Sequence, residues 1–154
     1  MIKFTVEETG WLFERPDIEG AVVPAVQEAT RLVFDHARGI LAAHPGPGHY
    51  GHSMDAIAQE TRHAEGIGIT GRVYGKGKAA FKLIFLEGGT AGHYIPPKGG
   101  RGVLAYQKGG ELRFRPYAHH PGTKGIQWKT RTQVETSYPV RQLIEDAVRR
   151  ATEQ

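Results

Sequence analysis

Two segments with apolar residues at every third or fourth position enclose a glycine-rich middle, and this arrangement constrains the fold most. Residues Val22–Ile40 carry the first stripe and Val140–Ala151 the second, and this spacing is typical of amphipathic helices. Because proline is tolerated in a first turn, Pro24 predicts that the first helix begins near residue 22, and Pro139 predicts that it opens the last helix. The first helix should end before Pro45.

Between the two stripes the chain alternates short β-type segments with glycines. The segments "MDAIAQETRH", "IGITGRVYG" and "AAFKLIFLE" predict antiparallel strands, as does "IKFTVE" at the start of the chain. "VLAYQKGGELRFRPY" predicts a hairpin, because its Gly-Gly pair takes positive φ at little cost. We expect loops that order on assembly at Ala91–Lys98 and at Pro121–Ser137.

The sequence therefore predicts an α+β fold. A mostly antiparallel β-sheet packs against a long helix in the N-terminal half and a C-terminal amphipathic helix, with long loops between them. At 154 residues the chain has the usual length of a single domain, and we assign residues 1–154 to one domain.

Charge is distributed unevenly along the chain. Met1–Gly71 holds 5 Lys/Arg against 10 Asp/Glu, whereas Arg72–Arg131 holds 12 against 2. A basic stretch of this kind can bind nucleic acid or an acidic protein surface, and charge alone does not distinguish these two partners.

The sequence also excludes some classes of protein. The chain has no cysteine, which excludes disulfides and thiol catalysis. No apolar run approaches the roughly 20 residues of a membrane span, and Met1–Gly10 lacks the basic start and apolar stretch of a signal peptide, so we expect no membrane partner.

The sequence contains residues that could belong to three kinds of chemical site: a dinucleotide site, a metal site and a catalytic nucleophile. "GIGITG" (66–71) matches a dinucleotide fingerprint in letters, but the segment after it reads as strand rather than helix. His44, His49 and His52 lie close in sequence, and His93, His119 and His120 could meet in space. Adjacent histidines on an extended segment point to opposite faces, so a three-ligand zinc site is not expected. Neither Ser53 nor Ser137 lies in a nucleophile motif. We therefore expect no catalytic residues, no metal and no cofactor.

Lysines and arginines alternate with aromatic residues through the basic middle. The alternation predicts aromatic side chains facing inward and a basic outer surface, for which the candidates are Lys76, Lys78, Lys98, Arg101, Arg113, Arg115 and Lys124.

Several segments in the second half of the chain occur in a familiar order: "EGGT" (87–90), "HYIPPK" (93–98), "LAY" (104–106), "GGELRFRPYAHHPGTKG" (109–125) and a closing amphipathic helix. In this order they resemble the head-to-tail connector family of long-tailed bacteriophages, also called neck, tail-completion or minor tail proteins. The sequence departs from the family pattern at Gly88, where an aromatic residue is usual, and in the long polar link "IQWKTRTQVETSY".

The resemblance implies structural turns and interface residues rather than a reaction centre. The residues concerned are Glu87, Gly88, Gly89, Thr90, His93, Pro97, Lys98, His119, His120, Pro121, Gly122 and Thr123. Within this set, Gly122 is suited to a turn with positive φ, and the Thr123 hydroxyl to a hydrogen bond with the turn backbone.

The resemblance also implies a non-enzymatic virion protein, assembled in the host cytoplasm and located at the neck. There it would form a homo-oligomeric ring, six subunits being the expected number, between a head-side connector and a tail-side terminator or tube protein, with genomic DNA passing through. The alternatives are a basic nucleic-acid-binding module and a histidine-metal-dependent hydrolase.

Overall fold

A three-stranded antiparallel sheet forms the base of the fold. The computed structural model describes residues 1–7, 16–44, 53–64, 68–97 and 102–153. The strands are β1 (Ile2–Glu7), β2 (Ile57–Ala64) and β3 (Gly68–Gly75), with β3 in the centre. Ile2 lies opposite Val73 on one side of β3, and Ile57 lies opposite Gly75 on the other.

The described residues include three α-helices: α1 (Pro16–Ala42), α2 (Lys82–Gly88) and α3 (Trp128–Thr152). Helix α1 lies against β2 and β3 and packs along α3. Its apolar stripe is buried with residues of the sheet and of α3: Val22, Val26, Ala29, Val33, Ala37, Leu41, Ile69, Val73, Trp128, Val140 and Ala151. The α+β architecture predicted from the sequence, with an antiparallel sheet and two long helices, is confirmed. Helix α1 packs against the sheet, whereas α3 packs mainly along α1 rather than on the strands.

Both long helices begin earlier than predicted. Helix α1 starts at Pro16, so Pro24 lies inside it. Gly20, whose carbonyl would accept the missing N–H of Pro24, is exposed and can be solvated. Helix α3 starts at Trp128, so the predicted loop from Pro121 to Ser137 is wrong beyond Gln127, and Pro139 lies inside the helix.

The segment "AAFKLIFLE" is helical, contrary to the predicted strand. A 3₁₀ turn (Lys78–Phe81) leads directly into α2. Short apolar runs are ambiguous between strand and helix, and here Leu83 is buried while Ile84 and Phe85 are exposed.

We call residues 89–124, which lie between α2 and α3, the arm. Its described residues, 89–97 and 102–124, form antiparallel ladders. Its strands pair in three successive ladders: β4 (Gly89–Thr90) with β9 (Thr123–Lys124), β5 (His93–Ile95) with β8 (Ala118–His120), and β6 (Leu104–Lys108) with β7 (Glu111–Arg115). The predicted hairpin is confirmed, with φ of 64° at Gly109 and 83° at Gly110. The expected loop Ala91–Lys98 instead contains β5.

Candidate functional site

The two turn motifs of the arm meet in space. Gly89–Thr90, from "EGGT", pairs with Thr123–Lys124, from "HPGTKG", and we call this ladder the arm root. The backbone N–H of Thr123 donates to Thr90 Oγ1 at 3.0 Å, and the two threonine hydroxyls are also 3.0 Å apart. The Thr123 hydroxyl thus contacts a side chain on the opposite strand, where the sequence predicted a bond to its own turn.

Glycine is required on both sides of the arm root. Gly89 has φ 76° and Gly122 has φ 89°, conformations that side-chain-bearing residues rarely adopt. A Cβ at Gly89 would collide with the Thr123 carbonyl oxygen, and a Cβ at Gly122 with the Thr90 carbonyl oxygen. The predicted positive φ at Gly122 is confirmed. Gly89 must also be glycine, because it too has positive φ and the two strands approach closely there.

Glu87 joins the arm root to helix α3. The residue before α3, Gln127, is left-handed (φ 54°) and offers no side-chain cap. Glu87 supplies the cap: the N–H groups of Lys129 and Thr130 donate to its carboxylate at 2.7 and 3.2 Å, and the Thr130 hydroxyl donates at 2.6 Å. A carboxylate at a helix N-terminus satisfies two backbone donors and interacts favourably with the helix dipole.

The pKa of Glu87 gives this cap a defined pH dependence. Partial burial raises the pKa, but the hydrogen bonds from Thr130 and Lys129 and the charge of Lys129 outweigh it, so the pKa lies below its ordinary value of 4.5. The carboxylate therefore stabilises the fold fully above pH 4.5 and loses this contribution as the pH falls through the lower folded-state pKa.

We expect Glu87→Gln to lower the free energy of unfolding at pH 7 by roughly 0.3–1 kcal/mol. The difference from the wild type should shrink when both proteins are denatured with urea at pH 3. Glu111→Gln, which removes an exposed carboxylate paired with Arg113 on the arm, is the control and should change little at either pH. An effect of Glu87→Gln that is equal at pH 7 and pH 3 would contradict the capping role.

The histidines of the arm separate onto two faces, as predicted for adjacent residues of an extended segment. His120 stacks on His93 with ring centroids 5.1 Å apart, whereas His119 contacts Tyr94 on the other face. His120 Nδ1 accepts the Gly122 N–H at 3.1 Å, and His93 Nδ1 lies 3.1 Å from the Ala91 carbonyl oxygen. Within the described ranges, no three His, Asp or Glu side chains are placed to hold a metal ion. His49 and His52 lie outside those ranges.

The other candidate sites are not assembled either. Residues Gly68–Gly71 of the glycine motif lie within strand β3, whereas a dinucleotide site needs these glycines in the turn between a strand and a helix. Ser53 is buried in the 3₁₀ turn before β2, and the Ser137 hydroxyl donates to the Val134 carbonyl at 2.9 Å.

The prediction of inward-facing aromatic residues is wrong for the arm. Tyr94, Phe114 and Tyr117 are 66%, 59% and 55% exposed. Among the described elements, β5 to β8 pack extensively only against their own ladder partners. Alternation turns every second residue to one face, but a face is buried only where a second layer covers it. Sequence reasoning therefore missed these apolar side chains as interface candidates, although their alternation with arginine is visible in "ELRFRPY".

The predicted basic residues occupy two regions. Lys76 and Lys78 are exposed before α2, and Arg113, Arg115 and Lys124 are exposed on the arm, while Lys98 and Arg101 lie outside the described residues. Arg115 covers the ring of Tyr106, with its guanidinium carbon 5.7 Å from the ring centroid. Of the remaining turn candidates, Pro97 is half-buried and Gly88 and Pro121 are exposed.

Comparisons of the chain with protein families, with curated proteins and with solved structures return no match. In the part of the chain that the structure describes, no helix has the length and apolar character to cross a membrane.

Proposed function

We propose that this protein is a structural, non-enzymatic subunit of a tailed-bacteriophage neck. It forms a ring, expected to be hexameric, between the head-side connector and the tail-side terminator or tube protein, and DNA passes through the ring. Assembly takes place in the host cytoplasm, and the mature location is the virion.

One observation carries this proposal: the motifs that resemble the connector family build the root of an arm with exposed apolar side chains. A two-stranded hairpin is marginally stable in water without a covering layer. Exposed apolar clusters of this kind mark contacts with other molecules. The arm is thus suited to subunit and neighbour contacts, and its root holds it between α2 and α3.

A basic nucleic-acid-binding module is the second candidate. The arm carries six Lys/Arg against one Asp/Glu, and Arg113 and Arg115 lie on one face with Tyr106. Phosphate contacts of this type give weak, sequence-independent binding that falls steeply with salt. Such binding is compatible with a DNA channel, so only tight, salt-resistant and sequence-selective binding would favour this candidate over the ring.

Electron microscopy tests the proposal directly. The purified chain at high concentration should show rings, and antibody labelling of assembled virions should place the chain between head and tail. Labelling elsewhere in the particle, or at the neck without ring symmetry in averaged images, would refute the neck assignment.

A further inference from the structure

We propose that the arm binds single-stranded DNA, with one unpaired base in a groove lined by tyrosine side chains and the neighbouring phosphate on Arg115. This inference deepens the proposed function by naming the form of DNA that the arm contacts. It rests on that function only for the choice of DNA over RNA.

The groove lies at the end of the β5–β8 ladder, on the side of the β6–β7 hairpin. Tyr94, Pro96, Pro116 and Tyr117 line a cavity of about 380 Å³ there, which we call the tyrosine groove. The rings of Tyr94 and Tyr117 meet edge to face, with centroids 5.2 Å apart and an angle of 89° between the ring planes. A cavity of this volume lies within the range of small-molecule sites, so it is large enough for one nucleobase.

Both tyrosine rings are open to solvent although they contact each other. Tyr94 is 66% and Tyr117 is 55% exposed. His119 extends the aromatic surface, because its ring centroid lies 5.2 Å from that of Tyr94. An edge-to-face pair covers only one ring face, so the remaining faces are available to a further planar group. Nucleobases stack on such side chains whatever the sequence, because every base has a π-face.

The tyrosine groove is rigid, because prolines form two of its walls. Proline fixes its own φ and holds the residue before it in an extended conformation. These preceding residues are Ile95 and Arg115, and each lies in a strand. A surface that is already ordered loses little conformational entropy when a ligand binds. The groove can therefore accept a flat ligand without rearrangement of the arm.

The side chains next to the tyrosine groove are mostly cationic. Arg115 directly precedes one of the groove prolines, and its guanidinium carbon lies 5.7 Å from the Tyr106 ring centroid. Arg113 and Lys108 lie on the same face of the β6–β7 ladder as Arg115. Glu111 is the only acidic residue between positions 89 and 124, and it pairs with Arg113 at 3.2 Å. The local charge therefore favours a polyanionic partner.

One nucleotide can contact the groove and the charged surface together. Arg115 and Tyr117 are two residues apart, so their Cα atoms are separated by about 7 Å at most. The guanidinium group presents a planar fork of N–H donors that matches the geometry of a phosphate. We therefore assign the base to the two tyrosines and the phosphate to Arg115.

Two other occupants fit this surface less well. Duplex DNA offers the phosphates, but its bases are paired and stacked on one another and cannot enter the groove. A proline-rich peptide can dock in an aromatic-lined groove, but it brings no phosphate to Arg115. The combination of open aromatic faces with local positive charge favours a strand with unpaired bases.

Fluorescence anisotropy with the full chain tests the proposal, using a labelled oligothymidylate of about 12 nucleotides. At near-physiological salt this strand should bind at least about tenfold more tightly than the same sequence in a duplex. It should also bind at least about tenfold more tightly than an abasic strand of equal length. The abasic strand is the matched control, because it keeps every phosphate and lacks the bases. Equal binding of the two strands overturns the proposal.

Variants of the aromatic side chains locate the binding. Tyr94→Ala/Tyr117→Ala should weaken binding of the oligothymidylate at least about tenfold, whereas Tyr94→Phe/Tyr117→Phe keeps both rings and should bind like the wild type. Phe114→Ala is the matched control, because Phe114 is 59% exposed on the opposite face of the β6–β7 ladder from Arg115. It should leave binding unchanged. A loss in Phe114→Ala equal to that in the tyrosine-to-alanine variant overturns the assignment to the groove.

A charge variant tests the phosphate contact. Arg115→Gln should weaken binding and lower the slope of log affinity against log salt by about one, as expected for one lost phosphate contact. Lys76→Gln, which removes a charge outside the arm, should leave the slope nearly unchanged. Equal slopes in the wild type and Arg115→Gln refute the phosphate contact.

The outcomes separate this inference from the proposed function. An oligouridylate that binds at least about tenfold more tightly than the oligothymidylate refutes the choice of DNA. A proline-rich peptide that binds through the two tyrosines, in a chain that does not bind the oligothymidylate, overturns the proposal. A chain that binds the oligothymidylate as expected but is absent from the virion neck refutes the neck assignment alone. Neck rings built from a chain that does not bind it refute this inference and leave the neck assignment intact.

Discussion

Gly89→Ala is expected to destabilise the protein strongly, whereas Gly88→Ala, one residue earlier, is expected to be neutral or stabilising. Gly89 has φ 76°, and its added Cβ would collide with the Thr123 carbonyl oxygen and lie 2.7 Å from the Gly125 nitrogen. The backbone strain alone costs about 1–3 kcal/mol, and relief of the collision requires the arm root to open. Gly88 is helical and a Cβ there meets no atom within 4 Å, so alanine gains up to about 1 kcal/mol of helix propensity.

Urea denaturation of the two variants measures this difference. Amide hydrogen exchange locates it, because the Thr123 N–H bond to Thr90 Oγ1 should lose protection in Gly89→Ala and retain it in Gly88→Ala. Gly122→Ala should behave like Gly89→Ala, since its Cβ would collide with the Thr90 carbonyl oxygen. Similar stability of the Gly88 and Gly89 variants would show that the arm root does not require glycine.

The features predicted correctly from the sequence are those encoded locally. The apolar stripe of α1 and the Gly109–Gly110 hairpin each depend on residues only a few positions apart. Periodicity and turn chemistry specify such features before any tertiary contact forms. The α+β class follows from the same local patterns, whereas the strand order β1-β3-β2 depends on the long-range pairing of β1 with β3.

Helix α3 contains polar residues at core positions, and their polarity makes this part of the sequence resemble a loop. The sequence predicts a loop for its first half, because "KTRTQVETSY" contains few apolar residues. Thr132 and Thr136 are nevertheless buried, since their hydroxyls donate to the carbonyl oxygens of Trp128 and Thr132 at 2.6 and 2.7 Å. A threonine that satisfies its hydroxyl within the helix can occupy a core position. The spacing of four from Trp128 to Thr132, Thr136 and Val140 was the available signal.

The arm root and the exposed arm faces depend on contacts that are distant in the sequence. Thr90 and Thr123 are 33 residues apart, and the resemblance pointed to both turns without indicating that they pair. Whether Phe114 is buried depends on what packs above the strand, which alternation within the strand does not specify. The motifs therefore indicate which residues belong to the arm root, but only the folded chain shows which of them meet.

Trp128→Ala is expected to cause the largest loss of stability among single substitutions in helix α3. Trp128 is 4% exposed within the main core cluster, and its indole N–H donates to the Leu83 carbonyl at 2.8 Å. Truncating a buried tryptophan costs about 3–5 kcal/mol, a large fraction of the 5–15 kcal/mol that keeps a domain folded. Tyr138→Ala, on the same helix at 70% exposure, should change stability by less than about 0.5 kcal/mol.

Trp128→Ala should also loosen the arm, because the arm begins directly after α2 and ends just before α3. Trp128 joins these helices, and the backbone N–H groups of Ile126 and Gln127 both donate to the Leu86 carbonyl, at 2.7 and 3.2 Å. Trp128→Phe keeps most of the ring but leaves the Leu83 carbonyl without its indole donor, at a cost of about 1–3 kcal/mol. We expect protection of the Thr123 amide to fall in the order wild type, Trp128→Phe, Trp128→Ala. Unchanged protection in Trp128→Ala, with reduced global stability, would show that the arm root is held independently of the contact between α2 and α3.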